Sequence, residues 1–170
     1  MAEPEFTDAI ALLKADHRKV EGLFEQFEKA GGSAAKAKIA QQICNELKIH
    51  TTIEEEILYP ALRGKIDDDL LDEAYVEHDG AKVLINDIAA GSPGDDFYDA
   101  KVMVLSEEIK HHVHEEEMPV EGMFAQCRKT DVDLVALRDA MAARKQELVE
   151  QAESTGLPPA EPRAVKLQPA

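Results

Sequence analysis

The chain contains no tryptophan, only two cysteines, and aromatic residues at 5% of its 170 positions. So few large rings, beside a 44% hydrophobic content that is mostly Ala, Leu, Ile and Val, suit helix packing better than a β-sandwich. Cys44 and Cys127 are too few and too far apart for a disulfide framework or a CxxC site, and read as inert small hydrophobes in a reduced protein. No apolar run reaches the length of about 18 residues that a membrane helix needs. The opening Met1-Ala2-Glu3-Pro4-Glu5 lacks the basic and apolar regions of a secretory leader, so the expected location is cytoplasmic. Positive charge is scarce as well: 19 Lys and Arg stand against 35 Asp and Glu, a net charge of −16. Such a surface repels phosphate backbones and anionic lipid, which argues against nucleic-acid or membrane-surface partners.

What the chain does have is one pattern written twice. Ile43, Leu47, His50 and Glu54 follow the same spacing as Leu105, Ile109, His112 and Glu116. Steps of three and four place each set on one narrow helical stripe. An inward stripe should be apolar, yet both copies end in imidazole and carboxylate. Burying such groups unpaired costs roughly 2–7 kcal/mol each, so something must compensate. A metal ion does this economically, because neutral His and ionised Glu are both metal ligands.

Turn signals divide the chain into helices. Thr7 or Asp8 can cap a first helix ending at Gly31-Gly32, with Ile10, Leu13, Val20, Phe24 and Phe27 as its apolar stripe and His17 in the one vacancy. Ser33 can cap a second helix that carries the first motif and ends near Tyr59-Pro60. A third starts among Asp67, Asp68 and Asp69 and runs through Leu71, Tyr75, His78 and Ile85 to Gly91. After the turn Ser92-Pro93-Gly94, a fourth covers about 95–118 with the stripe Val102, Leu105, Ile109, His112, Glu116. A fifth, about 131–151, carries Leu134, Leu137, Met141 and Leu148 and either packs on the bundle or makes a dimer contact, so monomer and homodimer both stay open. The expected fold is all-α: an up-and-down antiparallel four-helix bundle plus a C-terminal helix over residues 1–153. Residues 154–170, with four prolines and little periodicity, read as a disordered tail.

Each bundle helix thus contributes one inward histidine: His17, His50, His78 and His112. The second and fourth add Glu54 and Glu116. Counted from the helix ends, the four histidines fit one layer of an alternating bundle. The pair His111/Glu115 competes with His112/Glu116, but it aligns with Val104 and Glu108 and would bring a further glutamate into the core. Glu55, Glu56, Glu115 and Glu117 read as a solvated rim or as supports for the ligands. Four imidazoles and two carboxylates suit two metal ions, with the glutamates bridging and two histidines capping each ion. Mixed N/O ligation with open positions favours non-haem iron, then manganese, then zinc.

His17, the run His50-Thr-Thr-Ile-Glu54 continuing Glu55-Glu56-Ile57-Leu58-Tyr59-Pro60, His78, and His112-Val-His-Glu-Glu116 resemble the hemerythrin-like HHE cation-binding domain over roughly residues 8–128. The resemblance implies a four-helix bundle holding two iron ions with an oxo or hydroxo bridge. Glu54 and Glu116 would bridge, and His17, His50, His78 and His112 would be terminal ligands. Oxygen-carrying hemerythrins have a second histidine one turn from the one on the third helix, where this chain has Ala74 and Lys82. They also use an aspartate where Glu116 stands. The implied role is therefore handling of a small oxidant: catalase-like decomposition of hydrogen peroxide, or binding of O2 or NO. A non-enzymatic iron-binding, storage or sensing module is the alternative. Tyr75, one turn before His78, and Lys82 are the side chains expected to reach a metal-bound ligand.

Overall fold

The computed structural model describes residues 5–168. Its helices are α1 (Ala9–Lys29), α2 (Ser33–Ile53), a π-helical turn (Glu54–Leu58), α3 (Tyr59–Leu62), α4 (Asp68–Ala90), α5 (Tyr98–Glu117), α6 (Met123–Cys127) and α7 (Leu134–Ser154). The long helices α1, α2, α4 and α5 form an antiparallel four-helix bundle, and α7 lies along α1, α2 and the π turn. Three of the long helices start at a side-chain cap, whereas α2 begins at Ser33 itself, behind Gly32 and without the serine cap expected. Asp8 caps α1 by accepting the Ala11 N–H at 2.9 Å, Asp67 caps α4, and Asp133 accepts from Val135 and Ala136 to cap α7. Gly122 follows α5 where a Cβ would lie 2.5 Å from the Met118 carbonyl oxygen and 2.8 Å from that of Glu116, so only glycine lets the chain turn back so closely.

The core is in two pieces. Val20, Phe24, Phe27, Ile43, Leu47, Ile85, Val102, Leu105 and Ile109 pack at one end of the bundle. Ile10, Leu13, Ile53, Leu58, Leu62, Leu71, Phe124, Met141 and Leu148 pack at the other. Met141 and Leu148 are the buried residues of α7, which settles its apolar side onto the bundle. Cys44 lies in the first piece and Cys127 in the second, and burial pushes both thiols up to about 11, away from the reactive thiolate.

Two segments depart from the sequence expectations. The second helix does not stop at Tyr59-Pro60. It widens into the π turn, where Tyr59 N–H reaches the Glu54 carbonyl, and continues to Leu62 with Pro60 in the first turn of α3, where the proline's missing N–H is not needed. The tail expected to be disordered carries no helix or strand from Gly156 to Gln168, yet it stays on the bundle: the N–H groups of Arg163, Ala164 and Val165 all reach the Asp79 carboxylate, and Asn86 pairs with both backbone groups of Ala160 at 2.8 Å. Pro158, Pro159 and Pro162 fix φ and so favour an extended path that can run along a helix.

Candidate metal centre

Between the two apolar pieces lies a layer of buried polar side chains. His17, His50, His78 and His112 are 1–6% exposed, and Glu54 and Glu116 are 0% and 1% exposed. These are the six residues singled out from the sequence, one histidine from each bundle helix, with Glu54 at the start of the π turn and Glu116 on α5. The structure also decides the register of α5. The His111 side chain is 65% exposed and pairs with Glu115 at the surface, whereas His112 points inward.

The imidazoles form two pairs. His17 Nε2 lies 3.2 Å from His50 Nε2, and His78 Nε2 lies 3.1 Å from His112 Nε2. Each glutamate spans both pairs: Glu54 Oε2 is 3.3 Å from the Nε2 of His50 and of His78, while Glu116 lies 3.3 Å from His17 and 3.4 Å from His112. Carboxylates outside the layer orient every ring. The Nδ1 of His17 faces Glu117 at 2.6 Å, that of His78 Glu55 at 3.0 Å, that of His112 Glu77 at 2.6 Å, and that of His50 Asp16 at 3.5 Å. An Nδ1–H donated outward leaves each Nε2 with a lone pair directed inward, the tautomer a metal requires. Two such lone pairs facing each other at about 3 Å repel. Glu54 Oε1 and Glu116 Oε2 are buried and accept no hydrogen bond. Converging lone pairs and unpartnered carboxylate oxygens together call for positive charge, and the donor set fits a pair of metal ions. His17, His50, Glu54 and Glu116 converge on one position, and Glu54, His78 and His112 on the other.

The same demand for positive charge shows in the electrostatics of the side chains. Burial alone would push the His17, His78 and His112 pKa values down, but the neighbouring glutamates outweigh it and hold all three above the ordinary range, His112 well above. Burial raises the Glu116 carboxyl in turn, and His112 and His17 outweigh that, holding it well below the usual carboxylate range. Among the orienting carboxylates, burial is likewise overcome at Asp16 by His50 and Lys145, at Glu55 by His78 and Lys82, and at Glu77 by His112, and all three are held low.

A seventh group was missed in the sequence. Tyr59, 1% exposed, puts its hydroxyl 3.2 Å from Glu54, 3.1 Å from Glu116 and 3.3 Å from His78 Nε2. Residues five apart on an α-helix face directions about 140° apart, which placed Tyr59 off the stripe. The wider π turn brings it back under Glu54. Burial, with Glu116 and Glu54 alongside, raises the phenol pKa well above its ordinary value, so the proton stays on oxygen. Tyr75, expected to point at the site, instead donates to the Glu55 carbonyl at 3.4 Å and meets Tyr59 edge-on. Lys82 does not reach the centre either; its ammonium holds Glu55 at 2.8 and 2.9 Å. Asp16 and Glu77 carried no sequence signal, being two of many acidic residues on solvated-looking faces. A cavity of about 10 Å³ touches all four histidines, at the lower limit of the space one water needs.

Comparison with known proteins places this arrangement. The family model for the hemerythrin HHE cation-binding domain matches residues 8–124. A DNA nickase of Nostoc sp. is 30% identical over 106 residues, covering 62% of this chain and 30% of that protein, so the chain spans less than a third of that relative. The crystal structure of a hemerythrin HHE cation-binding domain-containing protein from Mycobacterium kansasii superposes with a TM-score of 0.71 at 22% identity, over 89% of this chain and 96% of that one, a likeness of fold.

Proposed function

This chain belongs to the hemerythrin HHE cation-binding family, and we propose that its polar layer holds two iron ions and decomposes hydrogen peroxide. The two inward histidine pairs, each spanned by Glu54 and Glu116, carry the two-ion part of the reading. Bound iron would supply the redox chemistry by which two molecules of peroxide become one of O2 and two of water. The protein's own part is to position and to exclude. The four orienting carboxylates keep the imidazole lone pairs inward. The near-complete burial of all six side chains, between two apolar pieces of core, keeps bulk water and larger substrates out of the layer. Tyr59 retains its proton and donates it to Glu116 at 3.1 Å and Glu54 at 3.2 Å, fixing the two carboxylates that span the histidine pairs.

One imidazole on α4, with carboxylate oxygens rather than a second histidine beside it, makes a harder and more charge-donating donor set. That favours ferric iron over the ferrous form that carries O2 reversibly. DNA cleavage is not carried across from the Nostoc relative, because a net charge of −16 opposes approach to a phosphate backbone. The test is O2 release from peroxide by the iron-loaded chain, with Glu54→Ala as the inactive control. A reversible O2 spectrum after reduction, with no peroxide turnover, would favour a carrier or sensor instead.

A further inference from the structure

The C-terminal strap meets the metal layer through a single carboxylate. Glu55 is 3% exposed; it is hydrogen-bonded to His78 Nδ1 at 3.0 Å and to Lys82 Nζ at 2.8 Å, and Arg163 of the C-terminal tail forms an ion pair with it, Nε to Oε2 at 2.8 Å. The strap is fastened next to this point. Asp79, adjacent to His78 in sequence and 1% exposed, receives the three successive N–H groups of Arg163, Ala164 and Val165 at 2.9, 2.7 and 2.7 Å. Lys82, one turn from His78, also donates to the Glu161 carbonyl at 3.1 Å. None of these strap residues falls within the family match, which ends at residue 124.

We propose that Arg163 is a positioning residue for His78, so that the strap governs how firmly the His78/His112 side of the centre holds its ion. The proposal rests on the two-ion reading above. A carboxylate orients an imidazole only while its own oxygens are fixed. Oε1 of Glu55 is shared by His78 and Lys82, while Oε2 is fixed by Lys82 and Arg163. Without the guanidinium, Glu55 can rotate toward Lys82, and His78 loses its fixed Nδ1 partner. The His17/His50 side has different supports: Lys145 of α7 pairs with Asp16, and Arg18 pairs with Glu117 at 2.8 Å. Loss of Arg163 should therefore act on one ion of the two.

Full-length Arg163→Ala, Arg163→Lys and Glu161→Ala chains are loaded with iron and challenged with excess chelator while release is followed. Arg163 lies on the surface and Glu161 contributes only its backbone carbonyl, so all three chains should fold. Arg163→Ala is expected to release one of its two ions about tenfold faster than the parent chain. Its second ion should leave at the parent rate, Arg163→Lys should recover most of the loss, and Glu161→Ala should behave as the parent. Unchanged release from Arg163→Ala, or equal acceleration of both ions, would overturn the proposal. A parent chain that takes up fewer than two ions would overturn the two-ion reading instead. The strap is then judged on the metal-free chain, by exchange of the His78 Nδ1–H proton with water in NMR. Faster exchange in Arg163→Ala, restored by lysine, supports the strap, and unchanged exchange refutes it.

Discussion

His111 and His112 are neighbours in sequence with opposite surroundings. The first is mostly exposed beside Glu115, and the second is buried against His78 and Glu116. Alanine at His50, Glu54, His112 or Glu116 should cut metal content sharply, while His111→Ala and His114→Ala should leave two ions per chain by metal analysis. A centre emptied by His111→Ala but not by His112→Ala would show that α5 presents its other face. Tyr59→Phe removes a donor to two buried carboxylates. In the metal-free chain it should lower stability by about 1–3 kcal/mol in denaturant melts. In the loaded chain it should keep both ions while slowing peroxide turnover, and an unaltered rate would remove the phenol from the chemistry. The six inward residues were legible because each interrupts an apolar stripe, an anomaly that periodicity exposes. Asp16 and Glu77 were not, since an acidic residue that will hold an imidazole looks in sequence like any solvated one.

Among the elements, legibility followed the local rule that formed each one. The caps at Asp8 and Asp67 were readable because a short acidic side chain before an apolar stripe has one common use. The π turn was not, because its cause is tertiary: Glu54 and Tyr59 both face the buried layer, and only a widened turn allows it. The prolines of the strap signalled absence of helix correctly, but the three N–H groups converging on Asp79 are a long-range contact that composition cannot reveal. The cap on α1 gives a pH prediction. Burial raises the Asp8 carboxyl, but Arg128 and the Ala11 N–H outweigh it, so its pKa in the folded chain lies below the ordinary 3.8. Its stabilising contribution is therefore complete above 3.8 and fades as pH falls through the lower folded value. Asp8→Ala should cost about 1 kcal/mol at neutral pH. The gap between variant and parent in denaturant melts should close in strong acid, and a gap that stays constant would show that packing, not the charged cap, is responsible.

For the molecule as a whole, a bundle cut across its middle by four imidazoles and two carboxylates cannot rely on apolar burial there. Both halves of the core depend on what neutralises the layer between them. Ion binding and folding are then linked, as wherever a ligand binds only the folded state. An acidic, tryptophan-free sequence still announces a buried site for the same reason: a net charge of −16 is ordinary on a surface, but His and Glu repeated on two apolar stripes are not. The metal content of aerobically isolated protein, read together with its optical spectrum, tests the two-iron centre most directly. Two iron ions per chain and the near-ultraviolet absorption of a ferric oxo-bridged pair are predicted. A chain isolated with zinc, or with fewer than two ions and no such band, would contradict the account.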